Sequence, residues 1–149
     1  MRTLPIDWAD LEIAFRDAGT ESYLDTESGE VLSIVDGFDD ERDLRERLAR
    51  FPGRFARIVP VDRAFTADVV ARFLATQRGA LHKRLAAAAD GPGGLSRFMS
   101  ALRDEKAALG AFSRFEQACL LTTIEAWLRD HSVSSKETAP GLELFEGLA

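Results

Sequence analysis

Residues 23–31 read YLDTESGEV and set the carboxylates of Asp25, Glu27 and Glu30 beside two hydroxyls and a glycine. Side chains of this kind at close spacing suggest a calcium loop, in which acidic or amide ligands alternate, glycine is sixth and a bidentate glutamate is twelfth. Counted from Asp25, the glycine falls fifth, at Gly29, and the twelfth residue is Asp36. No helical pattern leads into the segment. Gly29 therefore reads as the positive-φ residue of a tight turn, assisted by the Thr26 or Ser28 hydroxyl.

Other reactive residue types are sparse. Cys119 is the one thiol, and it lies on the inward stripe of a helical pattern four residues after Phe115, where it behaves as a small hydrophobe. A reactive thiolate needs a positive, partly exposed setting instead. His82 and His131 share no ligand spacing with Cys119, so neither a metal nor another cofactor is expected. The adjacent carboxylates Asp39–Asp40 and Asp104–Glu105 diverge on a helix and read as caps or solvated faces. The glycine-rich DGPGG at 90–94 lacks the lysine and hydroxyl of a phosphate loop; if an anion binds there, Arg97 is the nearby partner.

Charge is unevenly spread over the 149 residues. Residues 1–40 carry −9, residues 41–90 carry +5 and residues 91–149 carry −2, for −6 in all. Overall acidity argues against bulk attraction to nucleic acid, while the basic middle leaves a local anionic contact open or is compensated by the acidic first third. Arginine outnumbers lysine sixteen to three, which suits bidentate pairing with carboxylate or phosphate. No stretch approaches the roughly 18 to 20 apolar residues of a membrane span. The acidic start reads against a secretory signal, and a single cysteine fits a reducing compartment, so a cytoplasmic location is expected.

The elements that would carry these groups follow from periodicity. Asp7 caps a helix with Trp8, Leu11, Phe15 and Ala18 on one face, stopped by Gly19. ESYLD and EVLSIV flank the turn as an antiparallel hairpin. Asp39 or Asp40 caps a second helix with Leu44, Leu48 and Phe51 inward; its arginines and acids alternate as a self-paired solvated surface. ARIVPVD at 56–62 is a strand that Pro60 confines to an edge. From Thr66 the pattern is helical, with breaks at Gly79, at DGPGG and, more weakly, near AALG at 107–110. This order is that of an α+β fold: a small antiparallel sheet, made of a hairpin and an edge strand, packed with a mostly helical C-terminal half. Residues 1–133 are expected to form one domain and residues 134–149 a flexible tail ending in an apolar run, Leu142 to Leu148.

Read in order, Tyr23-Leu24-Asp25 with Gly29-Glu30-Val31, Arg57-Ile58-Val59-Pro60, Arg72-Phe73-Leu74, Gly94-Leu95-Ser96-Arg97-Phe98 and Trp127-Leu128 resemble the motifs of Uncharacterised Protein Family 0158. The resemblance spans residues 7–133 and implies a cytoplasmic bacterial setting, with no established activity. Ser96 and Met99 stand where that family tends to be basic, and Leu95 where it has an aromatic residue.

The resulting expectation is a non-enzymatic module that binds another macromolecule, a protein or a second copy of itself, and not a membrane. Its contact surfaces would be the acidic amino-terminal helix and hairpin edge, the arginine-bearing second helix, and the tail with Phe145. The alternative is a nucleotide or nucleic-acid binder working through Arg54, Arg57 and Arg97.

Overall fold

A computed structural model describes residues 1–140, and its fold is α+β. In chain order the elements are β1 (Arg2–Leu4), α1 (Trp8–Arg16), β2 (Glu21–Asp25), β3 (Val31–Ile34), α2 (Glu41–Arg50), β4 (Phe55–Ile58), α3 (Arg63–Leu74), α4 (Gly79–Ala89), α5 (Gly94–Arg103), α6 (Lys106–Asp130) and β5 (Val133–Ser135). They form two compact units, residues 1–61 with the chain from Leu120 onward, and residues 62–119.

The first unit holds an antiparallel sheet in the order β3-β2-β4 and a separate parallel pair, β1 with β5. Asp7 caps α1 by accepting the Asp10 amide at 3.0 Å, and Trp8, Leu11, Ala14 and Phe15 are buried. Ala18 is exposed, unlike its expected inward position. Asp17 turns the chain out of the helix first, accepting the Gly19 amide at 2.8 Å and the Thr20 hydroxyl at 2.6 Å. Such side-chain bonds compete with helical ones.

Strands β1 and β5 have three residues each, too few to leave a periodic trace. Long-range bonds hold them: the Arg2 amide donates to the Ser132 carbonyl at 2.8 Å and the Lys136 amide to the Leu4 carbonyl at 2.9 Å. The Glu137 carboxylate accepts the Ile6 amide at 3.2 Å, and its carbonyl accepts the Trp8 indole N–H at 3.1 Å. The sequence reading begins a flexible tail at residue 134. In the structure Ser134 and Ser135 lie in β5 and Ala139 is buried, while Leu142–Leu148 lies outside the described residues.

The second unit is helical. Asp62 caps α3 by accepting the Phe65 amide at 3.0 Å, starting the helix before Thr66. Phe73, Phe98 and Phe112 meet edge to face at centroid separations of 5.2–6.5 Å around a core that includes Val69, Leu85, Leu102 and Cys119. Burial pushes the Cys119 thiol above its ordinary pKa, which keeps it protonated. The weak break expected at 107–110 falls earlier, at Asp104–Glu105, and AALG lies inside α6. Gly94 has no room for a side chain: a Cβ there would overlap the Ala89 carbonyl at the end of α4.

The β2–β3 turn shows how close approach dictates residue type. Gly29 has φ +84° and is buried against Pro5, whose carbonyl oxygen occupies the place of a Cβ; Gly37 has nearly the same φ, +85°, with nothing within 4 Å. Alanine at either site meets the same backbone cost, so their difference isolates the overlap with Pro5. Gly29→Ala should lose about 1–3 kcal/mol more than Gly37→Ala in urea unfolding. Equal losses would show that the Pro5 segment yields freely.

Candidate functional site

Alternation along β2 sends Ser22 and Leu24 to one face of the sheet and Glu21, Tyr23 and Asp25 to the other. The register sets Arg57 opposite Tyr23 and Phe55 opposite Asp25. Helix α2 lies against β3 and sends two arginines onto this second face. Arg45 reaches Glu21 at 3.4 Å and Asp36 at 3.2 Å, and Arg47 reaches Asp25 at 3.5 Å and Glu30 at 3.4 Å. Only part of the charge on α2 is self-paired, as in Arg42–Glu46 and Arg45–Glu41. Arg45 and Arg47 attach the helix to the sheet and its turn.

Asp25 is the centre of this network, and its side chain is 0% exposed. The Arg54 Nε donates to its Oδ1 at 2.9 Å and Nη2 to its Oδ2 at 2.8 Å, a two-pronged pairing. The amides of Glu27 and Ser28 add donors to Oδ1 at 2.9 and 3.2 Å. Burial alone would raise the carboxyl's pKa. The Arg54 guanidinium and the turn amides outweigh it and hold the group well below the usual carboxylate range. Arg47 and Arg54 each also lie 5.6 Å from the Phe55 ring centre, because the register puts that ring beside the carboxylate they bind. The turn thus reads as a turn: the Ser28 hydroxyl accepts the Glu30 amide at 3.2 Å, while the Thr26 hydroxyl donates to the Arg54 carbonyl at 2.6 Å and Asp25 adds the acceptor for two turn amides.

Farther along the same face, the Tyr23 hydroxyl donates to Glu21 at 2.6 Å, and Arg57 lies 3.6 Å from Glu21 and 5.4 Å from the Tyr23 ring centre. The Tyr23 bond, against a smaller opposing effect of burial and with help from Arg45, lowers the pKa of Glu21.

At the turn end of the sheet an open cleft of about 700 Å³ is lined by Arg2, Glu27, Arg50, Phe51, Arg54 and His131, among others. Phe51, expected to face inward from α2, instead caps that helix and is 41% exposed, with Arg54 5.3 Å from its ring centre. His131, just past α6, binds the Trp127 carbonyl through Nδ1 at 2.9 Å.

The binding residues expected from sequence are not brought together. Arg54 borders the cleft while holding Asp25, and Arg57 sits on the outer strand β4. Arg97 belongs to the second unit, where its guanidinium donates to the carbonyls of Ala88 at 3.0 Å, Pro92 at 2.8 Å and Asp90 at 2.5 Å. There it closes the end of α4 and the glycine loop, in place of an anion. Phe145 lies outside the described residues. Sequence reasoning took Asp25 as a turn residue and the arginines of α2 as a solvated surface, and it passed over Arg2; the signal for their pairing was the opposition of an acidic first third to a basic middle. Among the described residues, no three His, Cys, Asp or Glu side chains are grouped to hold a metal ion, and no helix is long and apolar enough to cross a membrane.

Comparison of the chain with protein-family models, with curated proteins and with solved structures finds no match in any of the three.

Because the folded pKa of Asp25 lies below its unfolded value, the carboxylate contributes stability that is present above the unfolded pKa and is lost as pH falls through it toward the folded one. Asp25→Asn should cost about 1–3 kcal/mol near neutral pH by removing the carboxylate that Arg54, Arg47 and the turn amides hold, although Arg54 keeps Glu27. The gap between the variant and the natural protein should narrow below about pH 4. Denaturant unfolding at a series of pH values checks this, and a gap that does not change with pH would refute it.

Proposed function

We propose that the chain is a protein-binding module whose docking element is the acidic turn between β3 and α2. The observation that carries this reading is Phe38, which is 64% exposed on a turn held in one shape. The Phe38 amide donates to the Val35 carbonyl at 3.1 Å, the Glu41 amide donates to the Phe38 carbonyl at 3.1 Å, and Gly37 supplies the positive φ. The Asp36–Arg45 ion pair fastens the turn to α2. An aromatic anchor displayed on a fixed backbone loses little conformational freedom on binding, and buried aromatic anchors dominate many interfaces.

Charge defines the partner. Asp39 and Asp40 beside Phe38, and Asp43 on the first turn of α2, are exposed and make no ion pair among the described residues, whereas Glu21, Asp25, Glu27 and Glu30 face arginines. The complementary surface is an apolar pocket rimmed by lysine or arginine on another protein. A second copy of this chain is the other protein partner to test. The nucleic-acid reading has less support, because Arg54, Arg57 and Arg97 already hold internal acceptors that phosphates would have to displace. Kinship with Uncharacterised Protein Family 0158 and a cytoplasmic bacterial setting belong to the same proposal. The motifs behind that likeness lie on the β2–β3 hairpin, on β4 and just past it, at the end of α3, at the start of α5 and near the end of α6.

Affinity capture from the producing cells, quantified for the natural chain, Phe38→Ala and Val59→Ala, tests the reading. Val59 is 70% exposed but lies outside the turn, which makes it the control. A partner found with the natural chain should be purified and titrated. Phe38→Ala should weaken it by at least about 2 kcal/mol, roughly thirtyfold, with Val59→Ala near neutral. Equal loss from both variants, or none from Phe38→Ala, would remove the turn from the interface.

A further inference from the structure

The cleft at the turn end of the sheet takes no part in the docking turn, and its charges are unevenly matched. Glu27 is the carboxylate on its wall, facing Arg2, Arg50 and Arg54, with His131 on the same wall. Arg54 Nη1 lies 3.3 Å from Glu27, while its Nε and Nη2 hold Asp25. Arg2 approaches Glu27 only to 3.9 Å and donates to the Thr26 carbonyl at 3.3 Å. Arg50 is exposed and makes no ion pair among the described residues. The Nδ1 of His131 is committed to the Trp127 carbonyl, so Nε2 is the ring nitrogen outside that bond. The exposed ring of Phe51 adds an apolar wall beside these cations.

We propose that this cleft binds a small organic phosphate, with the phosphate held by Arg2 and Arg50 and the organic body against Phe51. Several guanidinium donors around one space match the charge and the three terminal oxygens of a phosphate monoester better than the single charge of a carboxylate. The volume, about 700 Å³, falls in the range of small-molecule sites and exceeds what a bare phosphate fills. Glu27 acts as an internal competitor: its carboxylate occupies part of the cationic surface until an anion replaces it. The site needs neither Phe38 nor a protein partner, so it stands or falls apart from the docking turn.

The test is a two-dimensional amide NMR titration of the full chain with phenyl phosphate, inorganic phosphate and benzoate. Saturable shifts should appear with phenyl phosphate and be weaker with inorganic phosphate, which lacks a ring to meet Phe51. Arg50→Gln should raise the dissociation constant by about tenfold or more, and Glu27→Gln should lower it. Arg50 is exposed and outside the Asp25 network, and unchanged circular dichroism of Arg50→Gln confirms that any loss is one of binding. Absence of saturation up to about 10 mM phenyl phosphate overturns the proposal. So does a dissociation constant that neither substitution moves, or benzoate binding as tightly as phenyl phosphate.

Discussion

A carboxylate removed from water at the end of β2 sets the conditions for the rest of the first unit. Ionised Asp25 is sustained by two distant cations, Arg54 from the segment before β4 and Arg47 from α2, and by the amides of the turn it belongs to. Each constraint is geometric. The turn must close so that its amides point back at Oδ1, β4 must pair in the register that delivers Arg54, and α2 must cross where Arg47 reaches the second oxygen. A one-residue slip of β4 would send Phe55 to the opposite face and break both the ring contact and the fork. Removing Arg54 would leave the buried carboxylate short of its main donors, so the pairing acts as a check on register more than as a source of net stability.

That network explains why the fold was more legible in sequence than the site. Periodicity and a cap mark α1, the hairpin, β4 and α3 to within a few residues, because each is encoded locally: Asp7 bonds the amide three residues on, and alternation in ESYLD is read directly, while the Asp62 cap, equally local, was passed over. Two local rules misled. The arginines and acids of α2 match the pattern of a self-paired solvated helix, yet Arg45 and Arg47 face residues 9 to 24 positions away, and no spacing rule within a helix reveals such partners. Phe51 continues the apolar spacing of α2 but falls on its cap, where the chain has left the helix. Strands β1 and β5 were illegible for a related reason, since three residues paired across 131 positions carry no local period.

The second unit follows different physics and was easier to read. Its core is a set of phenylalanines and aliphatic residues at helical spacing, with no buried ionic group among those described. What sequence could not show is how its connections are sealed. DGPGG resembles an anion loop because glycine amides are accessible in both cases. Here the loop's open positions are carbonyls, and a cation fills them: Arg97 spans Ala88, Asp90 and Pro92. Gly94 is required by the nearness of the Ala89 carbonyl, a packing reason that a motif search reads as a binding reason.

Arginine content therefore misleads when counted and informs when traced. A chain with sixteen arginines invites a nucleic-acid reading, but four of the ten in the basic middle answer acids of the first third. Arg45 serves Glu21 and Asp36, Arg47 serves Asp25 and Glu30, Arg54 serves Asp25 and Glu27, and Arg57 serves Glu21. Guanidinium suits this work because one planar group can hold two acceptors and stack on a ring at once, which an ammonium cannot do. Function is better sought in the charge that remains once these pairs are set aside. On the acidic side that remainder includes Asp39 and Asp40 next to an exposed phenyl ring; on the basic side it includes Arg50, with Arg2 weakly held, beside another. Opposite residual charges at two separate exposed aromatics are what a chain would carry if it recognised two chemically different partners, and neither remainder is visible until the internal pairs have been subtracted.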